Sequence, residues 1–218
     1  MNRRPVHIGE GGAYGRPVFR IFGDQETDAI HLFQLGKNLL ALGQLRQIAD
    51  QDEIKKLFPN TYGMPVVTFE KSNEKKELPA MNVGVILSGG QAPGGHNVIA
   101  GLFDGIKANN AASRLYGFIL GPGGLIDHKY MELTADIIDE YRNTGGFDMI
   151  GSGRTKLETK EQFDKGLEIL KELNIKALVI IGGDDSNTNA CVLAEYYKAT
   201  GAGVQVIGCP KTIDGDLK

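Results

Sequence analysis

The sequence predicts an α/β fold, a Rossmann-like parallel sheet flanked by helices, with an amino-terminal extension. Three observations carry that reading. From about residue 82 onward, short β-branched apolar runs alternate with helical stretches, the pattern of βαβ units. The runs 83–87, 177–181 and 204–208 each lead directly into a loop rich in glycine or charge. The third of these loops, Pro210-Lys211-Thr212-Ile213-Asp214-Gly215-Asp216-Leu217-Lys218, sets a lysine and two carboxylates within six residues. Open α/β sheets bind ligands in such loops, at the carboxyl ends of their strands.

The expected strands are 82–87, 115–120, 176–181 and 204–208. The expected helices are 97–108, 133–142, 159–173 and 187–199, each preceded by a glycine-rich or polar loop that can cap it. Residues 1–80 read differently, as an extension packed beside the α/β domain of 81–218. They comprise a glycine-rich stretch at 9–23, a helical stretch near 30–57, a strand-like run at 66–69 and a charged connector at 71–77.

Bulk properties narrow the function classes. The 218 residues are 41% hydrophobic, enough for a core of one large or two small domains. Net charge is −3, and Lys and Arg are scattered, so no nucleic acid partner is expected. The longest apolar runs fall far short of the ~20 residues that span a bilayer, and the start, Met1-Asn2-Arg3-Arg4-Pro5, lacks the apolar stretch of a signal peptide. No membrane partner and a cytoplasmic location are therefore expected. Cys191 and Cys209 fit reduced, structural thiols. His7, His31, His96 and His128 are too dispersed for a zinc-type cluster, which leaves an oxygen-bound metal such as Mg²⁺.

Three loops carry the candidate chemistry. Ser88-Gly89-Gly90-Gln91-Ala92-Pro93-Gly94-Gly95 before a helix suits an anion, because glycines let phosphate oxygens reach backbone N–H groups and the helix start adds a favourable dipole. It matches neither the Walker A pattern nor a dinucleotide fingerprint, and a plain strand-to-helix turn would read the same way. In Gly182-Gly183-Asp184-Asp185-Ser186, adjacent carboxylates repel unless a cation compensates, and a Mg²⁺ carrying phosphates would do so; solvated turn aspartates capping the next helix are the alternative. In the third loop Asp214 and Asp216 stand at i, i+2 and lean to one side of an extended stretch, where one could take a proton while the other serves a metal. Ser152-Gly153-Arg154-Thr155, after the apolar segment 147–150, adds a cation.

Together these strings, with Leu87 before and His96-Asn97 after the first, Asn187-Thr188-Asn189-Ala190 after the second, and Leu57-Phe58-Pro59-Asn60-Thr61-Tyr62-Gly63 upstream, closely resemble the long-form pyrophosphate-dependent phosphofructokinases over roughly residues 52–218. The resemblance implies transfer of a phosphoryl group from pyrophosphate to C1 of fructose 6-phosphate, reversibly, with Mg²⁺. It implies that Gly89 and Gly90 approach the donor phosphate, that Arg154 contacts a phosphate, and that Asp184 is the metal-associated carboxylate. Asp214 would be the base for the sugar hydroxyl, Asp216 would assist the metal and the transition state, and Thr212 and Ile213 would line the sugar-phosphate site. ATP-using relatives typically have glycine at the positions of Asp185 and Lys211. An aspartate at 185 sets charge and bulk where an ATP α-phosphate would sit, and Lys211 can neutralise charge building on the donor.

In this family the third loop is followed by a second half that supplies most sugar-phosphate contacts. The chain is thus expected to form the donor-binding part, truncated at its carboxyl end, and to work as a homo-oligomer or with the missing carboxyl-terminal half. The alternatives are a non-catalytic regulatory subunit or an inactive fragment of the same fold, against which the intact Asp184, Lys211 and Asp214 argue. A lipid or dinucleotide kinase of the wider superfamily would share the Gly-Gly-Asp loop but has no reason to carry Thr-Ile-Asp-Gly-Asp.

Overall fold

The computed structural model describes residues 20–22, 51–64 and 78–211. Within them six strands form one mixed sheet: β1 (Arg20–Phe22), β2 (Asn82–Leu87), β3 (Arg114–Phe118), β4 (Tyr130–Glu132), β5 (Ile175–Gly182) and β6 (Gln205–Pro210), in the order β1-β6-β5-β2-β3-β4. The four central strands are parallel, as the alternating pattern predicts. Both edges are antiparallel, through β1 on β6 and β4 on β3. The sequence reading has neither edge strand, because three residues are too few to show a period.

The central strands are buried on both faces, and each face builds its own core. Val83, Val85 and Leu87 of β2 and Ala177, Val179 and Ile181 of β5 pack with Ile99, Phe103 and Ile106 of α2 (Gly95–Asn109) and Ile138 of α4 (Ala135–Tyr141). The opposite face joins Ile86, Leu178 and Ile180 to Leu125 of α3 (Pro122–Ile126), to Phe163, Leu167 and Leu170 of α5 (Lys160–Glu172), and to Ala190, Leu193 and Tyr197 of α6 (Asp184–Ala199). α1 (Gln51–Leu57) lies upstream and buries no side chain. The turn that follows it docks on α6, where the Glu195 carboxylate accepts the Asn60 backbone N–H at 2.9 Å and the Thr61 hydroxyl at 2.8 Å.

This arrangement creates a topological switch point. From β2 the chain crosses by α2 over one face toward β3, and from β5 it crosses by α6 over the other face toward β6. Their neighbouring carboxyl ends therefore open a crevice, the usual ligand position in such sheets.

Several boundaries differ from the sequence expectation. β3 stops at Phe118 rather than continuing to 120: the Ile119 N–H turns to the Lys129 carbonyl, the Leu120 N–H to the Ile150 carbonyl, and Leu120 takes φ 59°. α6 starts at Asp184, three residues before the expected 187, so Asp184 and Asp185 occupy its first turn rather than a preceding loop. Acids there complement the helix dipole, which is why the helix absorbs them. The glycine-rich run 121–124 opens α3, with Gly121 as its N-cap and Pro122 as its first residue, where its fixed φ suits a first turn. The strand-like run at 66–69 and the charged connector lie outside the described residues.

Candidate functional site

The cleft at the switch point has a volume of about 310 Å³, at the small end of the range for small-molecule sites. Its first wall is the turn after β2. The Ser88 N–H donates to the Ile181 carbonyl at 2.8 Å and the Gly89 N–H to the Gly153 carbonyl at 2.9 Å, which ties this turn to β5 and to the loop bearing Arg154. Gly89 sits at φ 84°, a conformation that favours glycine. A Cβ at Gly90 would meet only the Arg154 guanidinium, at 3.9 Å, so its missing side chain leaves room for a ligand.

The second wall is the start of α6. Asn187 Nδ2 donates to the carbonyls of Gly182 and Gly183, both at 2.8 Å, closing the turn that presents Asp184, Asp185 and Ser186. Ser186 Oγ donates to Ser88 Oγ at 2.8 Å, and both hydroxyls are buried. The third wall comes from β6: the Lys211 N–H donates to the Gly182 carbonyl at 2.9 Å, and Lys211 Nζ lies 5.9 Å from the Phe147 ring centroid. A Cβ at Gly89 would sit 3.8 Å from that ammonium, so Lys211 overhangs the first turn.

One cleft thus brings together Gly89, Gly90, Arg154, Asp184, Asp185 and Lys211. Thr212, Ile213, Asp214 and Asp216 lie outside the described residues. The cleft also holds Ser88, Thr155, Lys156, Ser186 and Asn189, to which the sequence reading gives no role. Of these, Lys156 had a signal: it follows Arg154 by two residues, the spacing that returns an extended chain to the same side. Its Nζ lies 3.3 Å from Asp185 Oδ2. Asn189 grips the same loop from α6, its Oδ1 accepting the Leu157 N–H at 3.0 Å.

Behind the first wall, His96 fixes the start of α2. The Met149 N–H donates to His96 Nε2 at 3.1 Å, so Nδ1 carries the hydrogen and donates to Thr144 Oγ1 at 2.9 Å. Thr144 Oγ1 passes its own hydrogen to the Tyr141 carbonyl at 2.7 Å. His96 is fully buried, and burial holds its pKa below the ordinary value of 6.5, against the opposing pull of Asp148. It is a neutral structural imidazole.

Among the described residues no group of three or more His, Cys, Asp or Glu side chains is placed to hold a metal ion. Among the described residues, Asp184 and Asp185 alone offer carboxylate oxygens in the cleft. A cation held by one or two carboxylates and completed by substrate phosphates fits this donor set, and Mg²⁺ binds in that manner. Cys209 is buried, which raises its thiol to about 11, and both cysteines are unbridged. No helix of the described residues is long and apolar enough to cross a membrane.

The family model described as "Phosphofructokinase" matches residues 82–218, which include β2 to β6 and the segments that follow β2, β5 and β6. The chain belongs to the phosphofructokinase family. A pyrophosphate--fructose 6-phosphate 1-phosphotransferase from Porphyromonas gingivalis is 72% identical over 171 residues, covering 78% of this chain and 31% of that protein. From Arabidopsis thaliana, the pyrophosphate--fructose 6-phosphate 1-phosphotransferase subunit beta 1 is 55% identical over 168 residues, covering 77% of this chain and 30% of that one. The chain thus spans about three tenths of the length of these curated relatives. Among solved structures, a pyrophosphate-dependent phosphofructokinase from Nitrosospira multiformis superposes with a TM-score of 0.57 at 23% identity, over 62% of this chain and 35% of that one. At that identity the likeness shows the phosphofructokinase fold alone.

Proposed function

We infer that this chain provides the donor side of a phosphotransferase that moves a phosphoryl group from pyrophosphate to the C1 hydroxyl of fructose 6-phosphate, giving fructose 1,6-bisphosphate and phosphate, reversibly. The observation that carries the reading is the position of Asp185. It stands in the first turn of α6 in a cleft built for a phosphate, beside Gly89 and Gly90 and among Arg154, Lys156 and Lys211. A carboxylate there leaves an inorganic donor room but opposes a nucleotide, whose α-phosphate would add charge against it. The relatives' names agree with an inorganic donor.

In this reading Gly89 and Gly90 let the donor phosphates approach backbone N–H groups, and Arg154 and Lys211 neutralise charge during in-line transfer. Asp184 would hold Mg²⁺, which supplies charge neutralisation to the donor when bound. Asp214 takes the proton of the sugar hydroxyl, Asp216 assists, and Thr212 and Ile213 contact the sugar phosphate. Residues 81–218 form the donor-binding domain and 1–80 an extension beside it. A homo-oligomer, or association with a further carboxyl-terminal half, completes the sugar site, and some relatives are themselves named as alpha and beta subunits. A cytoplasmic location belongs to the same reading, in keeping with the two unbridged cysteines.

The test is a steady-state assay of the oligomer, or of the chain together with the carboxyl-terminal half that completes the sugar site, with fructose 6-phosphate, Mg²⁺ and either pyrophosphate or ATP. Product formation with pyrophosphate and little with ATP is expected. Efficient ATP use would overturn the donor assignment, and no turnover with either donor would favour a regulatory subunit.

A further inference from the structure

The sequence sets Asp185 and Lys211 together as the two positions where ATP-using relatives have glycine, and the structure pairs Asp185 with a different lysine. Asp185 is paired with Lys156, Nζ to Oδ2 at 3.3 Å. Lys211 makes no ion pair with a carboxylate of the described residues; its ammonium instead overhangs Gly89 and the Phe147 ring. Both lysines line the cleft. The Lys156 and Asp185 side chains are 55% and 77% exposed, so their pair contributes little to folding stability. Its importance lies in where it puts charge. Without Lys156, the described cleft would hold Arg154 and Lys211 against Asp184 and Asp185, with no surplus cation for a polyanion.

We propose that Lys156 is a specificity-determining residue of the donor site: it compensates Asp185, so that a carboxylate that opposes nucleotides can stand in a pyrophosphate cleft while Lys211 stays available to the donor itself. The inference rests on the pyrophosphate reading of the site. It gives compensation of Asp185 and neutralisation of the donor to two different lysines. Lys156 works through Asp185, so its removal should matter only while that carboxylate is charged. Lys211 acts on the donor directly, so its removal should matter in either background.

The experiment is a double-mutant cycle on Lys156→Gln and Asp185→Asn in the full protein. The readouts are KM for pyrophosphate, KM for fructose 6-phosphate, kcat, and direct calorimetric titration with Mg-pyrophosphate. Lys156→Gln is expected to raise KM and Kd for pyrophosphate about tenfold, the loss of one charge-assisted contact. KM for the sugar phosphate and the melting temperature should stay unchanged, and Lys156→Arg should restore most of the affinity. In the Asp185→Asn background the same substitution is expected to change pyrophosphate affinity less than threefold. An unchanged KM in Lys156→Gln, or an equal effect in both backgrounds, overturns the proposal while leaving the pyrophosphate reading intact. Failure of the wild-type protein both to bind and to turn over pyrophosphate overturns both.

Discussion

The Ser186 hydroxyl, in the first turn of α6, donates to the Ser88 hydroxyl, just past the end of β2, across 2.8 Å in a buried position. This bond joins the two loops that leave the sheet toward opposite faces, and with the Ser88 N–H bound to the Ile181 carbonyl it fixes the width of the crevice between them. A buried neutral hydrogen bond of this kind contributes about 1 kcal/mol. Ser88→Ala and Ser186→Ala should each lower unfolding free energy by about that amount, and the double variant by much less than the sum. Urea denaturation of the three variants checks this; additive losses would show that the two hydroxyls do not act as a pair.

Two glycines of the first loop serve different ends. A Cβ at Gly95 would lie 2.3 Å from Phe147 ring atoms and 2.7 Å from the Gly146 carbonyl oxygen, so Gly95→Ala forces the helix start off the 146–149 turn and should cost about 2–3 kcal/mol. At Gly90 the nearest atom stands at 3.9 Å. Gly90→Ala should leave stability within about 0.5 kcal/mol of wild type yet raise KM for pyrophosphate by roughly tenfold, because the methyl group enters donor space and blocks close approach to the backbone. Thermal melts paired with donor kinetics distinguish the two, and a Gly90→Ala variant with normal donor KM would remove this turn from the donor site.

His96 predicts acid sensitivity of the fold. Its folded-state pKa is lowered, chiefly by burial, so the unfolded chain binds the proton more tightly. The stability it confers is complete above the unfolded value of 6.5 and is lost as pH falls from there toward the folded value. Protonation would also remove the acceptor of the Met149 N–H. Denaturation at pH 7.5 and 5.5 should show wild type losing more stability on acidification than His96→Gln, with the variant weaker at pH 7.5. Equal pH dependence in both would assign the acid effect to other groups.

The parts of this site differ in how legible they were from sequence. The four central strands were readable because burial on both faces demands continuous apolar runs such as 83–87 and 177–181, and the loops after them because glycine and adjacent carboxylates are rare enough to be noticed. The start of α6 lies three residues before the expected one, since Asp and Gly also signal turns and it is the backbone bond from the Asn187 N–H to the Gly183 carbonyl, at 3.0 Å, that shows the helix already formed there. The Lys156–Asp185 pair was hidden because it spans 29 residues, and no local pattern specifies which lysine a carboxylate will meet once α5 and β5 intervene. The role of Asp214 rests on the family resemblance together with its spacing to Asp216.

That role has a direct consequence. A sugar hydroxyl is a poor nucleophile until its proton is taken, and loss of a general base typically slows a reaction by ~10²- to 10⁴-fold. Asp214→Asn should lower kcat in that range while KM for both substrates stays within about threefold. Steady-state kinetics checks it, and near-normal turnover would place the base elsewhere.

The central claim is that the crevice between β2, β5 and β6 is built for an inorganic phosphate donor, with Asp185 and Lys211 deciding against nucleotides. The measurement that tests it most directly is a calorimetric titration of wild type and of Asp185→Gly/Lys211→Gly with Mg-pyrophosphate and with Mg-ATP. Wild type should bind pyrophosphate and show little heat with ATP, and the double variant should lose pyrophosphate affinity and gain ATP affinity. Equal affinity of wild type for the two donors, or no gain of ATP binding in the variant, would contradict the claim.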